Sequence, residues 1–223
     1  TAEEWDNVGL QIGNPGLDIT EIVIALEVDE RVLAYLKDKQ SCCVITHHPL
    51  FFKSLKQIRT DQDIGRIIKA FMDGNHQLFS AHTNLDVADN GVNDCLIKQY
   101  GLRPEEGKSI QDSFGKYFDY SSLSYNDILN ILPSEPFGSV QQSPIKRIGF
   151  CAGSGHGLIQ AVIDLNIDTF ITGEISYHDH VTCKMNQIRL IVLGHKESEI
   201  LICPEIKHFL EKNKINVPIS IIN

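Results

Sequence analysis

The chain has no apolar run of eighteen residues and no basic start leading into an apolar stretch, which excludes a helical membrane span and a secretory signal within the residues present. It also has no C-x-x-C pair. Its six cysteines, at 42, 43, 95, 151, 183 and 203, lie mostly in apolar stretches such as Cys42-Cys43-Val44-Ile45. That pattern argues against a disulfide framework or zinc ribbon and for reduced core thiols, so a cytoplasmic setting is expected. An excess of positive charge is missing too. With 20 Lys and Arg against 29 Asp and Glu the formal charge is −9, which argues against a nonspecific grip on nucleic acid. An acidic chain can still hold an anionic small molecule where bound cations supply local positive charge. There is no G-x-G-x-x-G or Walker loop and no short repeat. The first residue is Thr1, not Met, consistent with a leading segment removed or left out.

What is present is an ordinary globular balance. The chain has 223 residues, 42% hydrophobic and 22% charged, enough for one large domain or two small ones with a packed core. Apolar runs of strand length alternate with segments of helical period. Strands are expected at 22–26, 42–46, 77–81, 147–152, 169–172, 188–193 and 217–222. Helices are expected at 29–39, 61–73, 91–100, 125–132, 157–165, 176–185 and 198–212, with 102–120 less regular and 135–144 a loop or domain seam. This grammar predicts an α/β fold with parallel or mixed sheets covered by helices. In such sheets ligands gather at the carboxyl ends of strands.

Three strand ends carry suitable chemistry. His47 and His48 follow the strand at 42–46, and Pro49 then forces an extended path. Adjacent imidazoles there can each serve one ion of a pair, or be two surface histidines in a loop. His82 follows the strand at 77–81, and Asp86 comes four residues later, where an Asx turn or helix cap is the plain alternative. His195 and Glu199 follow the strand at 188–193 at helical i, i+4 spacing, one face of a first turn. Separately each has an ordinary reading. Together, three imidazoles and two carboxylates can hold two divalent cations if one carboxylate bridges, with Glu199 assigned as the bridge. Glu174 and His178, another acid–His pair after a strand, read either as groups that orient ligands or move protons or as part of a capped surface helix; His82 is read in the same way. His76, His156 and His208 lack such a context. Ala152-Gly153-Ser154-Gly155-His156-Gly157 could offer amides to a phosphate, but reads better as a tight strand-to-helix turn. Residues 5–13 read as a turn feeding an edge strand.

Five motifs occur in a telling order: Trp5-Asp6-Asn7-Val8-Gly9-Leu10, His47-His48-Pro49-Leu50, His82-Thr83-Asn84-Leu85-Asp86, Thr172-Gly173-Glu174, and Gly194-His195 with Glu199. In this order the chain resembles the GTP cyclohydrolase 1 type 2-like family, also called the Ngg-interacting-factor-three-like family, from Trp5 almost to the end. The resemblance implies two α/β domains facing a central cleft that holds a dinuclear metal site, one formed by 1–105 with 200–223 and the other by 106–199. It assigns the ligand role to His47, His48, Asp86, His195 and Glu199, and implies a toroidal homohexamer. The chain departs from the family in lacking most of a leading helix, in having no room for an inserted domain, and in Lys196-Glu197-Ser198, which replaces aromatic and small residues.

The expected function is a hydrolase using two divalent cations per chain, Zn, Mn, Fe or Ni. In the family's named reaction, GTP is opened at the guanine ring and formate is released, with His82, Glu174 or His178 carrying protons. A phosphoester or other substrate, or a noncatalytic metal-binding scaffold, are the alternatives. The expected partner is a small molecule, possibly a nucleotide, with no membrane.

Overall fold

Strand β2 (Glu21–Ala25) is buried at every position, as its unbroken apolar run requires of a strand covered on both faces. A computed structural model describes residues 2–123 and 144–223 of the chain. The chain divides into two compact units, 1–85 with 202–223 and 86–201. The sequence expectation put the boundary near residue 105. It lies earlier because the helix after residue 91 packs on strands of the second unit. Among the described residues no helix is long and apolar enough to cross a membrane.

The first unit is built on a five-stranded sheet in the order β1 (Gly9–Ile12), β4 (Gln77–Ser80), β3 (Cys42–Thr46), β2 and β10 (Ile219–Ile221). All neighbours are parallel except β1, which runs antiparallel to β4 at the edge. Helix α1 (Glu30–Leu36) starts at Asp29, whose carboxylate accepts the amides of Arg31 and Val32. α2 (Asp63–Asp73) makes the next crossover. Val32, Leu36, Ile67 and Phe71 from these helices close on Val23, Ala25, Val44 and Leu78 of the sheet. Glu21, although buried, is satisfied three times over, by Lys39 at 2.6 Å, Ser220 at 2.6 Å and Tyr35 at 2.5 Å. It therefore ties β2 to both α1 and the final strand.

The second unit has a mixed sheet in the order β5 (Lys108–Ile110), β6 (Gly115–Leu123), β7 (Ile145–Ser154), β8 (Thr169–Glu174) and β9 (Arg189–Val192). The first three strands are antiparallel and the last three parallel. After α3 (Thr83–Asp86), α4 (Val92–Gln99) covers one face of this sheet, with Leu96, Ile97 and Tyr100 against Ile148, Phe150 and Ile171. On the other face α5 (Ile159–Asp164) and α6 (Tyr177–Met185) pack Ile159, Val162 and Cys183 against Cys151, Phe170 and Leu190. The buried Asp94 accepts Lys116 Nζ at 2.6 Å and the Asn90 amide at 2.9 Å, joining α4 to β6. α7 (His195–Glu199) follows β9, and α8 (Ile202–Lys212) returns the chain to the first unit.

Two sequence expectations change. The irregular stretch 102–120 contains the β5–β6 hairpin, turned by Gln111, Asp112 and Ser113, all at positive φ. No Gly or Asn marks this turn, so its composition hid it. The single helix expected at 198–212 is two helices. Pro204 has no amide proton, and in a continuous helix its ring would strike the Ile200 carbonyl four residues earlier, so the chain breaks between α7 and α8. The helix expected at 125–132 and most of the loop at 135–144 lie outside the described residues.

His76 is a core pin. Its Nδ1 accepts the Cys42 amide at 3.1 Å, its ring also bonds the Leu36 carbonyl, and Phe71 packs edge-on against it. Burial lowers its pKa, opposed only in part by the Leu36 bond. The folded chain therefore takes up the His76 proton less readily than the unfolded chain, and stability is lost as the pH falls below about 6.5. In urea unfolding, His76→Gln should cost about 1–2 kcal/mol at pH 7.5 yet lose less stability than the parent between pH 7.5 and 5. An equal loss in both proteins would remove His76 as the acid-sensitive group.

Candidate metal centre

Parallel strands β3 and β4 end side by side, and this puts three imidazoles of the first unit together. Thr46 pairs with Ser80, and the Ala81 amide closes on the Thr46 carbonyl. His47 and His48 follow β3 and His82 follows β4. Their ring centroids lie 5.1 Å (His47–His48), 5.2 Å (His47–His82) and 6.0 Å (His48–His82) apart. The backbone here is stapled: Ser80 Oγ donates to the His47 carbonyl at 3.0 Å, and Thr46 Oγ1 donates to the His48 carbonyl at 2.9 Å.

Each ring is also held through Nδ1. His47 Nδ1 lies 2.9 Å from the Ala81 carbonyl, His48 Nδ1 3.1 Å from a Glu27 carboxylate oxygen, and His82 Nδ1 2.9 Å from Asp6 Oδ1. A carbonyl can only accept, so the proton of His47 sits on Nδ1, and carboxylates impose the same choice on the other two. In the neutral form each ring thus keeps the Nε2 lone pair, the form a cation needs.

Asp6 is the residue the sequence reading missed. Its side chain is fully buried; Oδ1 takes His82, while Oδ2 accepts the Thr83 amide at 3.0 Å and the Thr83 hydroxyl at 2.5 Å. Burial alone would raise its pKa, but the bonds from Thr83 and His82 outweigh this and hold it below the usual carboxylate value. Asp6 is 76 residues from its partner, so no local spacing could reveal it. Only its place in the Trp5-to-Leu10 motif hinted at a role.

In the second unit His195 and Glu199 sit on one face of α7, as their spacing predicts. His195 Nε2 lies 3.2 Å from Glu199 Oε1, and Nδ1 lies 3.3 Å from Glu174 Oε1. The bond to Glu199 raises the His195 pKa to about 9 against the opposing effect of burial, with further help from Glu174. Glu174 thus reaches His195 from the end of β8. Glu199 is buried, and the bulged turn at the end of β7 is shaped around it. Gly153 has φ +63°, and a Cβ there would overlap Glu199 Oε1. Ser198 Oγ locks the same turn, accepting the Gly153 amide at 2.9 Å and donating to the His195 carbonyl at 2.7 Å. Asp86 ends α3, and its carbonyl accepts Asn93 Nδ2 at 3.0 Å. Burial pushes the Cys151 thiol up to about 12, and the charges of Asp86 and Glu199 add to the shift. Both acids thus act on the same point in the unit.

The remaining residues separate cleanly. His178 is exposed on α6, its ring edge-on to Tyr177. His156 Nδ1 lies 2.6 Å from Asp179, which also accepts Ser176 Oγ at 2.6 Å. The glycine-rich turn spends its amides internally, Gly153 on Ser198 and Gly155 on the Glu174 carbonyl, which favours the tight-turn reading over a phosphate cradle. His47, His48, His82, Asp86 and Glu199 all fall in groups of side chains that could hold a metal ion.

Two mixed-sheet α/β units, one inserted within the other, with imidazoles and carboxylates at their strand ends, define a nested α/β protein with metal-capable side chains. The chain belongs to the Duf34/NIF3 (NGG1p interacting factor 3) family, which matches residues 1–223. A protein of Clostridium perfringens named GTP cyclohydrolase 1 type 2 homolog is 31% identical over 209 residues, covering 88% of this chain and 80% of that one. A protein of the same name from Campylobacter jejuni is 32% identical, covering 99% and 88%. NIF3-like protein 1 of Drosophila melanogaster is 29% identical, covering 89% and 72%. The fold is also that of reduced HcgD from Methanocaldococcus jannaschii, with a TM-score of 0.86 at 24% identity, covering 100% of this chain and 91% of that one.

Two substitutions test this geometry. Asp6→Asn replaces an acceptor-only group with one that must turn an NH2 toward a donor, so it should destabilise by about 1–3 kcal/mol in urea unfolding. It should also shift the His82 ring resonances in NMR. Gly153→Ala adds backbone strain and a methyl group against Glu199. It should lower the melting temperature and move the His195 resonances while leaving those of His76 in place.

Proposed function

We propose that His47, His48, Asp86, His195 and Glu199 hold two divalent cations and that the protein is a dinuclear metal-dependent hydrolase. The observation that carries this is the anchoring of His47 and His48 through Nδ1, each to an oxygen acceptor, so that both offer Nε2, while the like-anchored His82 beside them keeps its Nε2 for proton transfer. Mixed nitrogen and carboxylate donors suit Zn, Mn, Fe or Ni. Five protein donors for two ions leave positions for water and substrate, as a catalytic rather than structural centre requires. When bound, the cations would supply Lewis acidity and a nucleophile at neutral pH.

The chain's own groups divide the remaining work. The buried Glu199, kept in place by Gly153 and Ser198, would hold the cations together with the imidazoles. Glu174 aligns His195. His82, backed by Asp6, can take or give a proton at Nε2, the same logic as an imidazole oriented by a carboxylate in general acid–base catalysis. His178 is left as an outer proton carrier. The names of the bacterial relatives favour GTP as substrate, hydrolysed at the guanine ring with loss of formate. The facing cleft, the homohexamer and the cytoplasmic setting belong to the same proposal.

Gently purified protein should contain about two metal ions per chain by elemental analysis, and His47→Ala and Glu199→Gln should each contain fewer. Glu27→Gln, at a half-exposed position away from the core, should weaken metal affinity about 10- to 100-fold by releasing His48. Full metal content in all three variants would sink the ligand assignment. With metal-loaded protein and GTP, formate should appear, and His195→Ala should abolish it. Phosphate release from phosphoesters without formate from GTP would instead move the reaction to a phosphoesterase on the same cations.

A further inference from the structure

Among the described residues Phe79, Tyr177 and Phe209 are exposed, while Phe71, Phe118, Phe150 and Phe170 are buried. Trp5 and Phe52 are exposed as well. They stay 60% and 57% exposed, although they touch each other with ring centroids 5.7 Å apart at an angle of 60°. Both also meet the His82 imidazole edge-on, at 6.3 Å and 6.2 Å, each at 79°. The three rings form a corner with His82 at its base and His47 5.2 Å beyond. Two exposed aromatic rings side by side add little to a core and cost solubility, so their placement calls for an occupant.

The corner is held rigidly by side chains that have no other evident task. Asn7 Nδ2 donates to the Phe51 carbonyl at 2.8 Å. Gln11 Oε1 accepts the Leu50 amide at 2.8 Å, while its Nε2 donates to the Asn7 carbonyl at 2.8 Å. On the other side of Trp5, Asp6 is bonded to His82 and Thr83, and the Glu3 amide donates to Thr83 Oγ1 at 3.0 Å. The backbone flanking both rings is thereby cross-linked before any ligand arrives. Pre-ordering of this kind lowers the entropic cost of binding.

We infer that Trp5 and Phe52 are a stacking platform for a planar heteroaromatic ring, and that they position such a ring beside His82. This rests on the small-molecule hydrolase reading and narrows it to substrates with a flat, polar-edged ring, because aromatic faces bind the flat surface while the imidazoles meet the edge. Neither residue takes part in bond making. They are positioning residues whose loss weakens binding without removing a reacting group.

Trp5 is the sole tryptophan, so its fluorescence reports the platform directly. The 223-residue chain, metal-loaded and metal-free, would be titrated with GMP and AMP, with ribose 5-phosphate as the ringless control. Quenching by the purine monophosphates and not by ribose 5-phosphate is expected. Phe52→Ala should raise the apparent Kd about ten-fold or more, and Phe52→Tyr should restore it. Equilibrium dialysis should show a similar loss for Trp5→Ala, with metal content and circular dichroism unchanged in every variant. Absence of quenching, equal quenching by ribose 5-phosphate, or an unchanged Kd in Phe52→Ala would overturn the inference. So would a fall in sedimentation coefficient for Trp5→Ala or Phe52→Ala, which would make the pair a contact between copies of the chain. Selective quenching in a protein that binds no metal would leave the platform standing and overturn the metal centre instead; metal binding without quenching would do the reverse.

Discussion

The hydrogen bond at Nδ1 is the constraint on which the candidate site depends. An imidazole at a strand end can turn about two side-chain bonds and place its proton on either nitrogen. Tying Nδ1 to the Ala81 carbonyl, to Glu27 and to Asp6 removes both freedoms at once for His47, His48 and His82. The parallel pairing of β3 with β4 supplies the rest, because it delivers the two histidine-bearing loops to neighbouring points at the same sheet edge. Fold and tautomer therefore serve one end: three like-oriented donors without any large loop to order.

The second unit solves a related problem by packing. Glu199 is a buried carboxylate on a helix of only five residues, too short to hold itself. Beside it, in the neighbouring turn, lies Gly153, whose positive φ disfavours a side chain and where a Cβ would push the Glu199 carboxylate aside. Ser198, next to Glu199, fastens that turn to the helix with one hydroxyl acting as both donor and acceptor. The sequence Gly-Ser-Gly that looks like a phosphate loop is thus the complement of a carboxylate.

Much of this was legible in the residues. Period and apolar runs placed the parallel strands and their helices, and the habit of α/β sheets to carry function at carboxyl strand ends pointed to His47, His48, His82, His195 and Glu199. What was hidden shares a physical cause. The β5–β6 hairpin turns through three non-glycine residues in a left-handed conformation, so its turn had no signature. The break before α8 depended on a steric conflict of Pro204 with a carbonyl rather than on periodicity. Asp6, Asn7 and Gln11 act over distances of tens of residues in the chain, and the exposure of Trp5 is a property of the folded surface alone. Local pattern carries local structure, whereas cross-linking of remote loops has no local trace.

The nesting of one unit inside the other bears on how the protein is made. Residues 86–201 form an uninterrupted block, so all the strands of that sheet leave the ribosome in succession, and the block can close while synthesis continues. The sheet that carries the three imidazoles has to wait. Its strand β10 follows the whole of that block in the sequence, and until it docks, β2 presents an open apolar edge. The half that bears the histidines is the half that matures last.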